Sequence, residues 1–158
     1  MSLTHLHLLL NHFPVVGTII GVALLGFAAM RKNTDLTKAA LGLFAALGVI
    51  TLIVYFTGEP AEKAIEKLPG FSEAIIERHE EIALVATVVL SSFGAFALGA
   101  LAVFRGRSLP RWVTLSSLVL ALASAAIMGY TAMLGGQVRH TEVRPGSVAM
   151  SPTQENPD

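Results

Sequence analysis

Residues 5–30 read HLHLLLNHFPVVGTIIGVALLGFAAM, an uncharged run that stops only at Arg31-Lys32. From Leu6 to Met30 it is longer than the ~20 helical residues needed to cross a hydrocarbon core about 30 Å thick. A β-span would be about half that length and would alternate polar with apolar positions. The stretch therefore reads as a transmembrane helix. Three runs of the same kind follow, Leu36–Thr57, Ile82–Phe104 and Trp112–Leu134. The expected fold class is all-α, an integral membrane four-helix bundle. No lysine or arginine precedes the first run and no small-residue cleavage site closes it, which predicts a retained span rather than a signal peptide.

Composition agrees. Of 158 residues, 53% are hydrophobic and 14% charged, against about 25% charged in soluble domains, and the mean hydropathy is +0.65. The net charge of zero gives no support for nucleic-acid binding. With no cysteine, disulfides, iron–sulfur clusters and thiolate sites are excluded, so a metal would need imidazole, carboxylate, thioether or backbone oxygen. No phosphate-cradling loop or nucleophile elbow is present, and no ionisable residue lies deep in a span to mark an ion path.

The connections set the expected topology. Arg31, Lys32, Lys38, Arg105, Arg107 and Arg111 fall at one face with a single acid, Asp35, while the other face holds five basic and ten acidic residues. The positive-inside rule puts the short basic loops in the cytoplasm and both termini on the periplasmic side of a bacterial inner membrane. Residues 1–141 form the four-helix transmembrane domain and 142–158 a disordered C-terminal tail. The periplasmic loop 58–81 opens with a helix at Glu59-Pro60, where proline suits a first turn, and Glu59 pairs with Lys63. Pro69-Gly70 breaks that helix, and Ser72 caps the next one. Within the spans, Gly17, Gly21, Gly26, Gly42, Gly48, Ala95 and Gly99 are small residues that let helices approach closely, serving internal packing rather than a dimer face. An internal repeat is also visible. His5 precedes Arg31 by 26 residues and His79 precedes Arg105 by 26, which predicts parallel halves with helices one and three on a diagonal.

All five histidines fall at the face opposite the basic loops. His5 and His12, seven apart, share a helix face that would turn inward, leaving His7 pointing nearly the opposite way. Pro14 sits near the helix start, where its missing N–H costs little. His79 stands in Arg78-His79-Glu80-Glu81 and His140 just beyond the fourth span. Two chemistries fit. One is b-type haem, with His5 or His12 facing His79 as axial ligands and Arg78 or Arg139 near the propionates. The other is iron, copper or zinc held by His5, His12, His79, His140, Glu59, Glu62 and Glu80, although the i,i+3 Glu-to-His spacing of di-iron bundles is missing. The plain alternative is a solvated, salt-bridged rim marking the span ends of a structural accessory subunit. Beyond the lipid bilayer, the first reading implies membrane or periplasmic redox proteins, or quinone, as partners.

At His12-Phe-Pro14, Thr57-Gly58-Glu59-Pro60-Ala61-Glu62, Arg78-His79-Glu80 and Leu134-Gly135-Gly136 the chain resembles a family of small bacterial four-span membrane proteins known only as a domain of unknown function. The resemblance covers residues 5–140. It implies a membrane protein suspected of a redox or haem-linked role and singles out His12, Gly58, His79, Gly135 and Gly136. Where that family often has an aromatic after the paired glycines, this chain has Arg139-His140.

Overall fold

The computed structural model describes residues 2–66 and 70–144, and the described residues contain helices and no strand. Helix α1, Leu3–Leu10, and α2, His12–Met30, form one path interrupted at Asn11. The interruption follows from Pro14, which has no N–H to offer the Leu10 carbonyl four residues back. Pro14 is fully buried; it lies in the first turn of α2, near that helix's start as expected, and inside the longer Leu3–Met30 stretch.

At the other end of α2 the backbone N–H of Lys32 donates to Ala29 O (3.2 Å) and that of Asn33 to Ala28 O (3.0 Å). These are the two closing bonds of a Schellman motif, with Lys32 in the left-handed region at φ 50° where glycine is usual. The next residue starts helix α3, Thr34–Phe56. There the Leu36 N–H donates to the Asn33 side chain at 3.0 Å, satisfying one of the orphan donors of a helix start.

A turn at Thr57 separates α3 from α4, Gly58–Ile65, the short helix expected at Glu59-Pro60. Helix α5 runs Glu73–Val103 and α6 runs Arg111–Arg139. Ser72 does precede α5, but it closes the helix start through its backbone: its carbonyl accepts from Ile75 and Ile76 at 3.2 Å, with no bond from its side chain. Of the expected Pro69-Gly70 break, Gly70 has φ +83° and Pro69 lies outside the described residues. So does the tail from 145 onward. Thr141–Val143 make a 3-10 turn, and the Arg144 guanidinium donates to Gln137 O and Gly70 O, both at 2.8 Å.

Four stretches are long and apolar enough to cross a membrane: Leu3–Met30, Thr34–Ile65, Glu73–Val103 and Arg111–Arg139. They pack in a ring, α2 on α3, α3 on α5, α5 on α6 and α6 on α2, so that α2 and α5 are diagonal partners. The broadest contact, α3 on α5, is built on glycine. A Cβ on Gly48 would stand 3.2 Å from Gly94 Cα, and one on Gly94 3.1 Å from Phe44 O, so the two backbones touch. Phe44 and Phe93 stack beside them with centroids 4.4 Å apart. Gly17 and Gly21 pack inward on Leu47 and Phe44, whereas Gly26, Gly42 and Gly99 have nothing within 4 Å.

The core is small and partly polar, and the outside is apolar: Ile19, Ile20, Phe27, Val88 and Val119 are each at least half exposed. That inversion suits a lipid solvent. The buried hydroxyls of Thr37, Thr51, Thr87 and Ser117 each donate to the carbonyl four residues back at 2.7–2.8 Å, which keeps polar atoms satisfied where water is excluded.

Candidate functional site

The buried stripe on the first span runs Thr4, His7, Asn11, Pro14, Thr18, Gly21, Leu25, Ala28, alternating steps of three and four. On α5 it runs Ile76, His79, Ala83, Ala86, Leu90, Phe93, Ala97, Ala100 in the same alternation. Each position of the second follows its counterpart by 72 residues, from 7 to 79 through 28 to 100. His7 and His79 are therefore equivalent members of two parallel halves.

Their surroundings repeat as well. His7 Nδ1 donates to the Val54 carbonyl at 3.0 Å, and the Thr57 hydroxyl oxygen is 3.4 Å away. Its Cε1 lies 3.8 Å from where a Cβ on Gly58 would be. His79 lies beside the Thr131 backbone, and its Cε1 is 3.2 Å from where a Cβ on Gly135 would be. Val54 and Gly58 precede Thr131 and Gly135 by 77 residues in both cases. Each ring thus rests against the end of the following long helix, beside a backbone group and a glycine four residues later. The two rings lie near each other at the same end of the bundle.

This reverses the expected helix face. His5 is exposed, with its Nδ1 2.6 Å from the Ser2 hydroxyl, and His12 is exposed outside the stripe. Pairing His5 with His12 fixed their mutual angle correctly but left the face of the helix free. The small residues downstream set that face, and stepping back from Gly21, Thr18 and Pro14 by alternate threes and fours lands on His7. The repeat is corrected in the same way: His79 corresponds to His7, not His5.

The other candidates are spread around the rim. Arg78 is exposed and its Nη2 donates to the Tyr130 hydroxyl at 3.2 Å. Arg139 is exposed at the end of α6. His140 pairs with Glu142 at 2.9 Å, and Glu142's own backbone N–H, with that ring, holds its carboxyl below the usual range. Glu59 pairs with Lys63 as expected, both side chains exposed. The Glu62 carboxyl lies against that of Glu80. Among the described residues no three of His, Asp and Glu gather in a position to hold a metal ion. The expected convergence of His5, His12, His79, His140, Glu59, Glu62 and Glu80 is therefore not what the fold makes. It makes a pair of imidazoles and, apart from them, a pair of carboxyls.

Neither family models, nor curated proteins, nor solved structures match this chain. The site has to be read from its chemistry.

That chemistry is defined at His7. A carbonyl only accepts, so Nδ1 carries a proton; in the neutral ring that leaves Nε2 as the lone-pair nitrogen, the tautomer that backbone carbonyls fix in ligating histidines. At His79 the Nδ1 atom is buried with no hydrogen-bond partner. An ionised ring there would be a buried charge without a counter-ion, which is costly. Two neighbouring imidazoles from different helices suit a centre that takes two ring ligands, as b-type haem does. A mixed centre built from three or more His and carboxylate donors has no such set here.

Proposed function

We propose that this chain is a b-type haem protein of the bacterial inner membrane, with His7 and His79 as axial ligands at the periplasmic end. Haem bound there would supply one-electron transfer, exchanged with quinone or with a membrane or periplasmic redox protein. The observation that carries this reading is the equivalence of the two imidazoles: one from each half, at one end of the bundle, each seated on a glycine. Val54 accepts from His7 Nδ1, while Gly135 leaves room for the His79 ring. The orientation rests on the six basic residues at the far end. The resemblance to four-span proteins with a His before the third span points the same way.

The test is a reduced-minus-oxidised absorption spectrum of the protein purified from its native membrane. Soret and alpha bands are expected, lost in His7→Ala and in His79→Ala and retained in His5→Ala and His12→Ala. A flat spectrum from the unsubstituted protein refutes the haem reading. Equal loss from His5→Ala and His7→Ala refutes the assignment of ligands.

A further inference from the structure

At the opposite end of the bundle, where α2 stops and α3 and α6 begin, lies a cleft of about 480 Å³. Its lining includes the apolar Ala28, which is fully buried, and Leu115, which is half exposed, together with Lys32, Arg111, Thr34 and Thr114. No carboxylate lines it. Among the described residues neither cation is ion-paired, and neither threonine hydroxyl has a hydrogen bond within the chain. Their neighbours are spent: Thr37 donates to Asn33 O, and Lys38 donates to the carbonyls of Arg105 and Arg107.

The two halves differ here. Carrying the 77-residue offset of α3 and α6 to this end sets Leu115 against Lys38. In one half a lysine closes the gap by capping the neighbouring loop; in the other a leucine leaves it open. Trp112, next in sequence to Arg111 and packed edge-on against Phe96 of α5, is 59% exposed, as an aromatic anchored at headgroup depth would be.

We infer that this cleft binds the phosphate headgroup of an anionic phospholipid, with Lys32 and Arg111 on the phosphate, the Thr34 and Thr114 hydroxyls donating to its oxygens, and the glycerol and upper acyl carbons against Ala28 and Leu115. Charge sign and depth select this occupant. Two cations without an ion-pair partner favour an anion, and the apolar lining lies at the end of the hydrocarbon runs, where a lipid brings both halves of the match. Basic pockets between spans recognise lipid headgroups on this principle.

Trp112 is the chain's one tryptophan and adjoins the cleft residue Arg111 in sequence, so its fluorescence reports on lipid at that end of the bundle. The protein is reconstituted in phosphatidylcholine vesicles containing a minor fraction of either brominated phosphatidylglycerol or brominated phosphatidylcholine. Each cation near the headgroups favours an anionic lipid by about fivefold, so the brominated anionic lipid should quench Trp112 several-fold more strongly. The double substitution Lys32→Gln with Arg111→Gln should abolish the difference, while Arg105→Gln with Arg107→Gln, equal in charge but outside the cleft, should keep it. Equal quenching by the two lipids in the unsubstituted protein overturns the proposal without any variant. So does equal loss of preference in both double variants, which would mark a diffuse basic face. Relief of quenching by millimolar inorganic phosphate would make this a site for the free anion and overturn the lipid assignment.

Discussion

A Cβ added at Gly135 would stand 3.2 Å from His79 Cε1, 3.6 Å from Nδ1 and 3.9 Å from Nε2. The ring has little room to give, being partly buried against the Thr131 backbone. Gly135→Ala is expected to cost about 1–3 kcal/mol of displaced packing and, on the proposed haem reading, to weaken haem retention by roughly tenfold, read from Soret absorbance per protein through a detergent wash. Gly58→Ala, whose Cβ would meet His7 at 3.8 Å, is an ordinary contact, and Gly136→Ala meets nothing within 4 Å; both should retain pigment as the unsubstituted protein does. Retention by Gly135→Ala would mean that His79 is not confined by that glycine. At this scale the sequence revealed which residue types gather at one end, and His79 and Gly135 among them. It concealed His7, because a helix face is fixed by what the helix packs against, and one spacing between two histidines carries no such reference. The bond to Val54 is invisible for a simpler reason: the acceptor is backbone, and any residue at 54 would offer it.

Among the elements, the α3–α5 seam sets the bundle's width. Gly48→Ala and Gly94→Ala each bring a methyl to 3.1–3.2 Å from backbone, which unlike a side-chain tip cannot swing away. Each is expected to destabilise by about 1–3 kcal/mol, lowering the thermal midpoint in detergent. Gly26→Ala, Gly42→Ala and Gly99→Ala point into open space and should be neutral or stabilising by up to about 1 kcal/mol through helix propensity. Equal effects across the five would show that the seam is not close-packed in the membrane. The four spans, the short helix after Gly58 and the inward role of Gly17 and Gly21 were all legible, because length, hydropathy and small-residue spacing report them directly. Gly94 was not singled out although it faces Gly48, since which glycines of neighbouring helices meet depends on how far one helix slides along the other. Pro14 near a helix start holds for α2, whereas the division of the first span into α1 and α2 at Asn11 was not foreseen, since the apolar run from Leu6 shows no interruption.

For the whole molecule, the absence of native cysteine makes orientation directly measurable. With the histidine end outside, Thr141→Cys should react with a membrane-impermeant maleimide in spheroplasts, and Arg105→Cys only after the membrane is broken. The opposite pattern would invert the protein and move the lipid cleft to the outer leaflet. The offset that relates His7 to His79 carries a consequence for ancestry. Each half contains two long helices, one imidazole and the glycine it rests on, and the halves run parallel, so a single half paired with its own copy about a two-fold axis would supply both imidazoles. On the proposed reading, a chain of half this length would suffice to make the centre as a pair. The halves of this chain are free to differ, as they do where α5 runs unbroken beside the divided α1 and α2, and at the far end, where one has Lys38 and the other Leu115.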